Sequence, residues 1–191
     1  MSAPPEAYYS EERWQNWIDR LADEEIDPED EESARLLLNL QDDAAIGVAK
    51  ILGAHEEGEL GADETMEELA EVRDIVLSEV AIDDDETAFL IDGVQTSLVC
   101  VFAAAEQYVT GGPADPAPVE EFIRSAADAE AEDDLDTALA YCADAGTRII
   151  DGDELDLTIA EEIEYGLVAE WLNGLDSLQS ALRDPEVIEE E

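Results

Sequence analysis

The stretch Asp92-Gly-Val-Gln-Thr-Ser-Leu-Val-Cys-Val-Phe-Ala-Ala-Ala-Glu106 decides how the chain folds. Between the flanking acids, residues 93–105 carry no ionisable side chain except Cys100. Those 13 residues fall short of the roughly 20 that span a bilayer, so the run predicts a core helix and no membrane span. Asp83-Asp-Asp-Glu86 supplies a cap and negative charge at the helix start, and Gly111-Gly-Pro113 supplies the stop. This fourth helix, over about residues 85–109, is the most apolar in the chain and belongs at the centre.

Helical periodicity continues on both sides, and no stretch offers β alternation. Ser10 is placed to cap a first helix whose Trp14, Trp17, Ile18 and Leu21 share one face. Residues 23–32, eight acids in ten around Pro28, form a solvated connector. A second helix runs over about residues 31–55 with Leu37, Leu38, Ala44, Ala45, Val48, Ile51 and Leu52 inward, and Gly58 and Gly61 end it. Asp63 caps a third, with Met66, Leu69, Arg73, Val76 and Val80 on one side. Beyond the Pro-rich residues 113–118 come a fifth helix (Val119, Phe122, Ile123, Ala126) and a sixth (Leu135, Ala138, Leu139, Cys142, Ala145, Ile149). Thr158 opens a seventh through Ile163, Leu167, Trp171, Leu175, Leu178 and Leu182, which Asp184-Pro185 stops. The expected fold is all-α, an irregular bundle of about seven helices with the fourth and seventh central. Residues 1–112 hold the bundle with its aromatic N-terminal helix. Residues 113–191 pack on the same core, making a single domain overall.

The charge sets the environment. Across 191 residues, 54 acids face 8 cations, a formal charge of -46. Repulsion of that size strains a compact state, and molar salt shortens the Debye length to about 3 Å and removes most of it. Seven of the cations are Arg and only Lys50 is Lys; the guanidinium fork holds carboxylates better than an ammonium does. Acid excess with near-absence of Lys predicts a cytoplasmic protein of a cell that keeps molar salt inside. Eight scattered cations cannot build a phosphate-neutralising stripe, so nucleic acid is excluded as a partner. Met1 to Glu12 lacks a basic start and an apolar run, so no signal peptide is expected. Cys100 and Cys142, with apolar neighbours, read as small buried hydrophobes.

Four runs carry a resemblance: Tyr9-Ser-Glu-Glu-Arg-Trp-Gln-Asn-Trp17, Glu32-Ser-Ala-Arg-Leu-Leu-Leu-Asn-Leu-Gln-Asp42, Leu90-Ile-Asp-Gly-Val-Gln-Thr-Ser-Leu98, and Glu164-Tyr-Gly-Leu-Val-Ala-Glu-Trp-Leu-Asn-Gly-Leu-Asp-Ser-Leu-Gln179. Over essentially the whole chain it resembles an uncharacterised haloarchaeal family, an archaeal domain of unknown function. The resemblance implies the salt-rich archaeal cytosol and carries no activity, fold or site.

Candidate chemistry is weighed against chance. Glu67-Glu-Leu-Ala-Glu71 matches the Glu-Glu-x-x-Glu pattern with which helical nucleotide phosphohydrolases hold Mg²⁺. At this acid density such triplets arise about four times by chance. The partner Glu-x-x-Asp is missing from the next helix, where Phe89 follows Glu86. Glu67, Glu68 and Glu71 are therefore the weak metal candidates, and a solvated face is favoured. Asp151, Asp153 and Glu162 resemble an EF-hand loop, but Leu155 and Asp156 stand where a ligand and the turn Gly belong. His55 beside Glu56 and Glu57 lacks the second His of a zincin helix. No cofactor is expected beyond non-specific association of K⁺, Na⁺ or Mg²⁺.

Polar residues inside apolar helices say more. Asn39, Gln41, Asp42, Asp92, Gln95, Thr96, Ser97, Asn173, Asp176, Ser177 and Gln179 predict hydrogen bonds to one another across the bundle. Asp92 and Gln95 are the residues for a polar pocket. Tyr8, Tyr9, Trp14 and Trp17, four of eleven aromatics, mark the first helix either as docked on its own bundle or as an anchor for a protein partner or homodimer. The resulting reading is a non-enzymatic interaction or adaptor protein, with a Mg²⁺-dependent all-α nucleotide phosphohydrolase as the alternative.

Overall fold

Aspartates set the starts of three of the seven α-helices among the described residues. In a computed structural model that describes residues 9, 11–24, 26–27, 29–164 and 166–183, Asp30 accepts the Ser33 N–H ahead of α2 (Glu31–Glu56). Asp84 accepts the Thr87 N–H at 2.9 Å and the Thr87 hydroxyl at 2.6 Å ahead of α4 (Asp85–Gly111). Those two bonds hold the Asp84 carboxyl below its ordinary range. Asp134 caps α6 (Leu135–Ile150) through Thr137. An N-terminal carboxylate satisfies otherwise orphaned N–H groups and faces the positive end of the helix dipole.

The remaining helices are α1 (Glu11–Asp23), α3 (Ala62–Val76), α5 (Val119–Ala131) and α7 (Leu167–Arg183). The described residues are 77% helical, with seven α-helices and no strand, an all-α bundle. The Ser10 cap expected for α1 lies outside the described residues, as do Tyr8 and Asp184-Pro185.

Two expected boundaries shift. Asp63 lies inside the first turn of α3; the cap is Gly61, whose N–H is accepted by Glu64 Oε1 at 3.1 Å. The same helix stops at Val76, short of Val80. The seventh helix does not open at Thr158. Leu157–Glu161 forms a 3-10 turn capped by Asp156, and α7 begins only at Leu167. The cause is tertiary: Glu130 of α5 accepts the Leu167 N–H at 2.7 Å and the Val168 N–H at 3.3 Å, serving as the cap of α7 from another element. Gly166 makes room for it, since a Cβ there would lie 2.6 Å from Glu130 Oε2.

α4 packs against α2, α3, α6 and α7, and α7 against α2, α4, α5 and α6. One apolar cluster joins Trp14, Ile18 and Leu21 of α1 to α2, α3 and the Leu98, Val101 and Phe102 side of α4. A second joins α5, α6, the 3-10 turn and α7 around Cys100, Cys142, Trp171 and Leu175. α4 feeds both because its apolar residues run around the helix, leaving no wholly polar face. It is the one described helix long and apolar enough to cross a membrane by length and composition. Cys100 and Cys142 are free, buried and mutually adjacent, and burial followed by Cys142 pushes the Cys100 thiol well above its ordinary value.

The scarce cations are spent between elements. Arg73 of α3 pairs with Glu106 of α4, Arg124 of α5 with Glu162 at 3.1 Å, Arg148 with Asp153 at 2.8 Å, and Arg183 with Glu154. Exposed pairs of this kind contribute only about 0–1 kcal/mol each. They cannot offset 46 uncompensated negative charges. Far-ultraviolet circular dichroism from about 0.1 to 3 M KCl should therefore show helix content rising in a cooperative step. Full helicity and urea resistance at the low-salt end would contradict the screening argument.

Candidate functional site

The first half of α2, the start of α4 and the middle of α7 border a groove of about 380 Å³. Leu37, Leu38, Leu90 and Val94 supply its apolar walls, while Gln41, Asn173 and Asp176 make its polar end. Leu38 is 51% exposed there, and Phe89, one residue before Leu90, is 70% exposed. On a surface this acidic, exposed aliphatic and aromatic side chains beside a concavity are the exception.

Beneath the groove lies a buried polar network. Gln41 Nε2 donates to the Asn173 carbonyl at 3.1 Å and to Ser177 Oγ at 2.8 Å. Ser97 Oγ reaches Gln41 Oε1 at 2.8 Å and the Val94 carbonyl at 2.6 Å, so its one proton is shared between them. Gln41 thereby ties α2 to both α4 and α7 with every amide function in use. Such a network is worth keeping only if complete, because one unpartnered buried amide costs about 1–3 kcal/mol. Gln179 does related work, its Oε1 accepting the Leu155 N–H at 2.6 Å.

Two carboxylates edge this network. Burial raises the Asp42 carboxyl, with the Ser177 hydroxyl opposing and Asp176 adding to the rise. Burial also raises Asp176, with Arg183 opposing. A carboxyl whose folded pKa exceeds its unfolded one favours folding when protonated and opposes it as pH climbs through the raised value. Asp176→Asn should thus be more stable than the parent at neutral pH, the gain shrinking as pH falls through the raised value and vanishing below about pH 4, where both states hold the proton. Thermal melts of dilute protein in molar KCl measure this; an Asn variant equally or less stable at neutral pH would refute it.

The expected pocket residues lie elsewhere. Asp92 is exposed on α4 and is not a groove residue. Gln95 donates from Nε2 to the Val76 carbonyl at 2.9 Å and the Ser78 carbonyl at 2.8 Å, closing the C-terminal end of α3. Glu67 and Glu71 are exposed on α3, and Glu68 is half-buried, its carboxyl raised first by burial and then by Glu71, Glu67 and Glu64. Among the described residues, no three His, Cys, Asp or Glu side chains are grouped to hold a metal ion.

The aromatic N-terminal segment sits on its own bundle. Trp14 is 3% exposed and packs with Ile18 and Leu21 in the first cluster. Tyr9, Arg13 and Trp17, four residues apart, turn to a second target, the buried carboxylate of Asp43. Arg13 Nε donates to Asp43 Oδ2 at 2.6 Å, Arg13 also pairs with Oδ1, and Trp17 Nε1–H donates to Oδ2 at 2.9 Å. Arg20 lies over the Trp17 ring, 5.6 Å from its centroid. Burial, then the Asp43 charge, pushes the Tyr9 phenol far above its ordinary range. As anchors for a partner, Tyr9 and Trp14 would first have to leave this seat.

With that geometry in place the relatives can be set beside it. A family described as uncharacterised proteins conserved in archaea (DUF2150) matches residues 7–191, which takes in every helix, the Asp43 seat and the groove. The chain belongs to that family. No curated protein and no solved structure matches it.

Two residues of consequence escape a sequence reading. Asp43 is one acid among 54, distinguished only by standing between Leu40 and Ala44 on a helix buried from there onward. Leu38 reads as an inward residue by spacing, yet α2 is uncovered at that point.

Proposed function

We propose that this member of the family is a non-enzymatic protein-interaction protein of an archaeal cytosol rich in salt. The carrying observation is the apolar groove over the Gln41 network, with Leu38 half exposed in its wall on a strongly acidic chain. Burial of such side chains against another protein gains about 25 cal/mol per Å², and high salt strengthens apolar contact while it screens repulsion. The phosphohydrolase alternative needs facing acidic clusters, whereas Glu67 and Glu71 project outward from α3.

A photo-crosslinking amino acid at position 38, in cells or in molar KCl, should give a discrete protein adduct that Leu37→Asp or Leu90→Asp removes. No adduct, or the same smear obtained from a probe at exposed Glu121, would defeat the interaction reading. Turnover of a nucleoside triphosphate with Mg²⁺ in molar KCl, abolished by Glu68→Gln, would replace it with the enzyme.

A further inference from the structure

We infer that a second copy of this chain covers the exposed Leu38 edge of the groove, docked antiparallel along the first half of α2 with Arg35 of each copy facing Asp42 of the other. The inference rests on the interaction reading above and names its partner.

Arg35, Leu38 and Asp42 are spaced three and four residues apart on α2, so they share one face. A two-fold axis set midway between Arg35 and Asp42 carries each onto the position opposite the other in the second copy. The same axis passes beside Leu38 and brings the two Leu38 side chains together. The surface is thus self-complementary in both charge and apolarity, as an isologous contact requires.

Cation use supports it. Arg13, Arg73, Arg124, Arg148 and Arg183 each pair with a carboxylate of their own chain, and Arg20 lies over Trp17. Arg35 and Lys50 form no ion pair, hydrogen bond or ring contact among the described residues, and of these Arg35 is exposed on α2 one turn before Leu38, which lines the groove. An exposed arginine without a fixed partner, on a chain with 54 acids and 8 cations, is free to take a carboxylate from a second copy. Asp42 meets the complementary condition: its charged neighbour is Asp176, and its hydrogen bond is to Ser177. Two molecules of charge -46 repel at low salt, so the contact forms when KCl screens the long-range term and leaves the apolar centre.

Light scattering and sedimentation equilibrium of the full chain, over a concentration series in KCl, test it. The expected mass in about 3 M KCl is twice the 20.8 kDa of one chain, with association tightening as KCl rises. Leu38→Asp and Arg35→Glu should each weaken association at least about ten-fold with circular dichroism unchanged, since both side chains are exposed. Arg35→Glu alone and Asp42→Arg alone should fail to associate, while an equimolar mixture of the two should recover the dimer. A 20.8 kDa species at every concentration overturns the inference, as does a dimer indifferent to both Leu38→Asp and Arg35→Glu. If the chain is monomeric while the probe at position 38 captures a different protein through the groove, the second copy is wrong and the interaction reading stands. Monomer mass together with no adduct defeats both.

Discussion

Arg13→Ala should destabilise the protein by about 3 kcal/mol, and Asp43→Asn by distinctly less, although the two residues form one pair. Removing one member of a buried ion pair costs about 3–5 kcal/mol because the other charge is left without compensation. The members here are unequally placed: the Asp43 side chain is 1% exposed and the Arg13 side chain 49%. Without Arg13 the carboxylate keeps only the Trp17 indole N–H and stays out of water. Without the charge on Asp43, by contrast, the guanidinium can turn into solvent, and an Asn oxygen still accepts from Trp17. The lower end of the range is taken because half of the pair is already wet. The loss should show first as undocking of α1, so tryptophan emission should shift red at lower urea than far-ultraviolet ellipticity falls, all in molar KCl. Equal losses for the two variants, or coincident transitions with no change in midpoint, would show that Asp43 is not the seat of α1.

Gly174→Ala should cost about as much by an opposite route, overfilling instead of emptying. A Cβ at this position of α7 would lie 2.1 Å from the Ser97 carbonyl oxygen and 2.8 Å from its carbon. The obstacle is backbone in the middle of α4, so no rotamer change relieves it, and the two central helices must separate. Overpacking costs about 1–3 kcal/mol and more where backbone must move; the helix-propensity gain of about 1 kcal/mol for Gly to Ala offsets part. A net loss of about 3 kcal/mol would lower the melting temperature by roughly 6–12 °C in a chain of this size. Gly53→Ala in α2 is the control, since its Cβ would meet nothing within 4 Å. It should melt at or above the parent temperature. A Gly174→Ala protein that melts with the parent would mean that α4 and α7 do not approach this closely.

The spacing of Trp14, Trp17, Ile18 and Leu21 predicts one apolar face for α1; Trp14, Ile18 and Leu21 are buried there, while Trp17 packs only at its edge and turns its N–H to Asp43. The companion series Tyr9, Arg13 and Trp17 carries the same helical spacing, but its target lies 26 to 34 residues away on another helix. Spacing within one helix says which residues share a face and nothing about what that face meets. The polar residues of α2, α4 and α7 were likewise legible as a set, and Gln41, Ser97, Asn173 and Ser177 do meet. Asp92 and Gln95 were separated from them because each helix position turns about 100° from the last, which puts Asp92 in solvent and Gln95 at the end of α3, away from the Ser97 face.

What the sequence alone determined is whatever local chemistry and composition settle: helices throughout, the aspartate cap of α4, a central α4 too apolar for the surface, and a net charge of -46. Each follows from side chains acting within about a turn of their own position, or summed over the whole chain. The tertiary structure decided the rest. It broke the expected seventh helix, because Glu130 reaches from α5 to cap Leu167 where Gly166 leaves space. It chose Asp43 from 54 acids to bury, and it left Leu38 uncovered on the first half of α2, where spacing had placed it inward. Those outcomes depend on which surfaces meet across sequence separations of 30 residues and more, and periodicity along one chain carries no record of that.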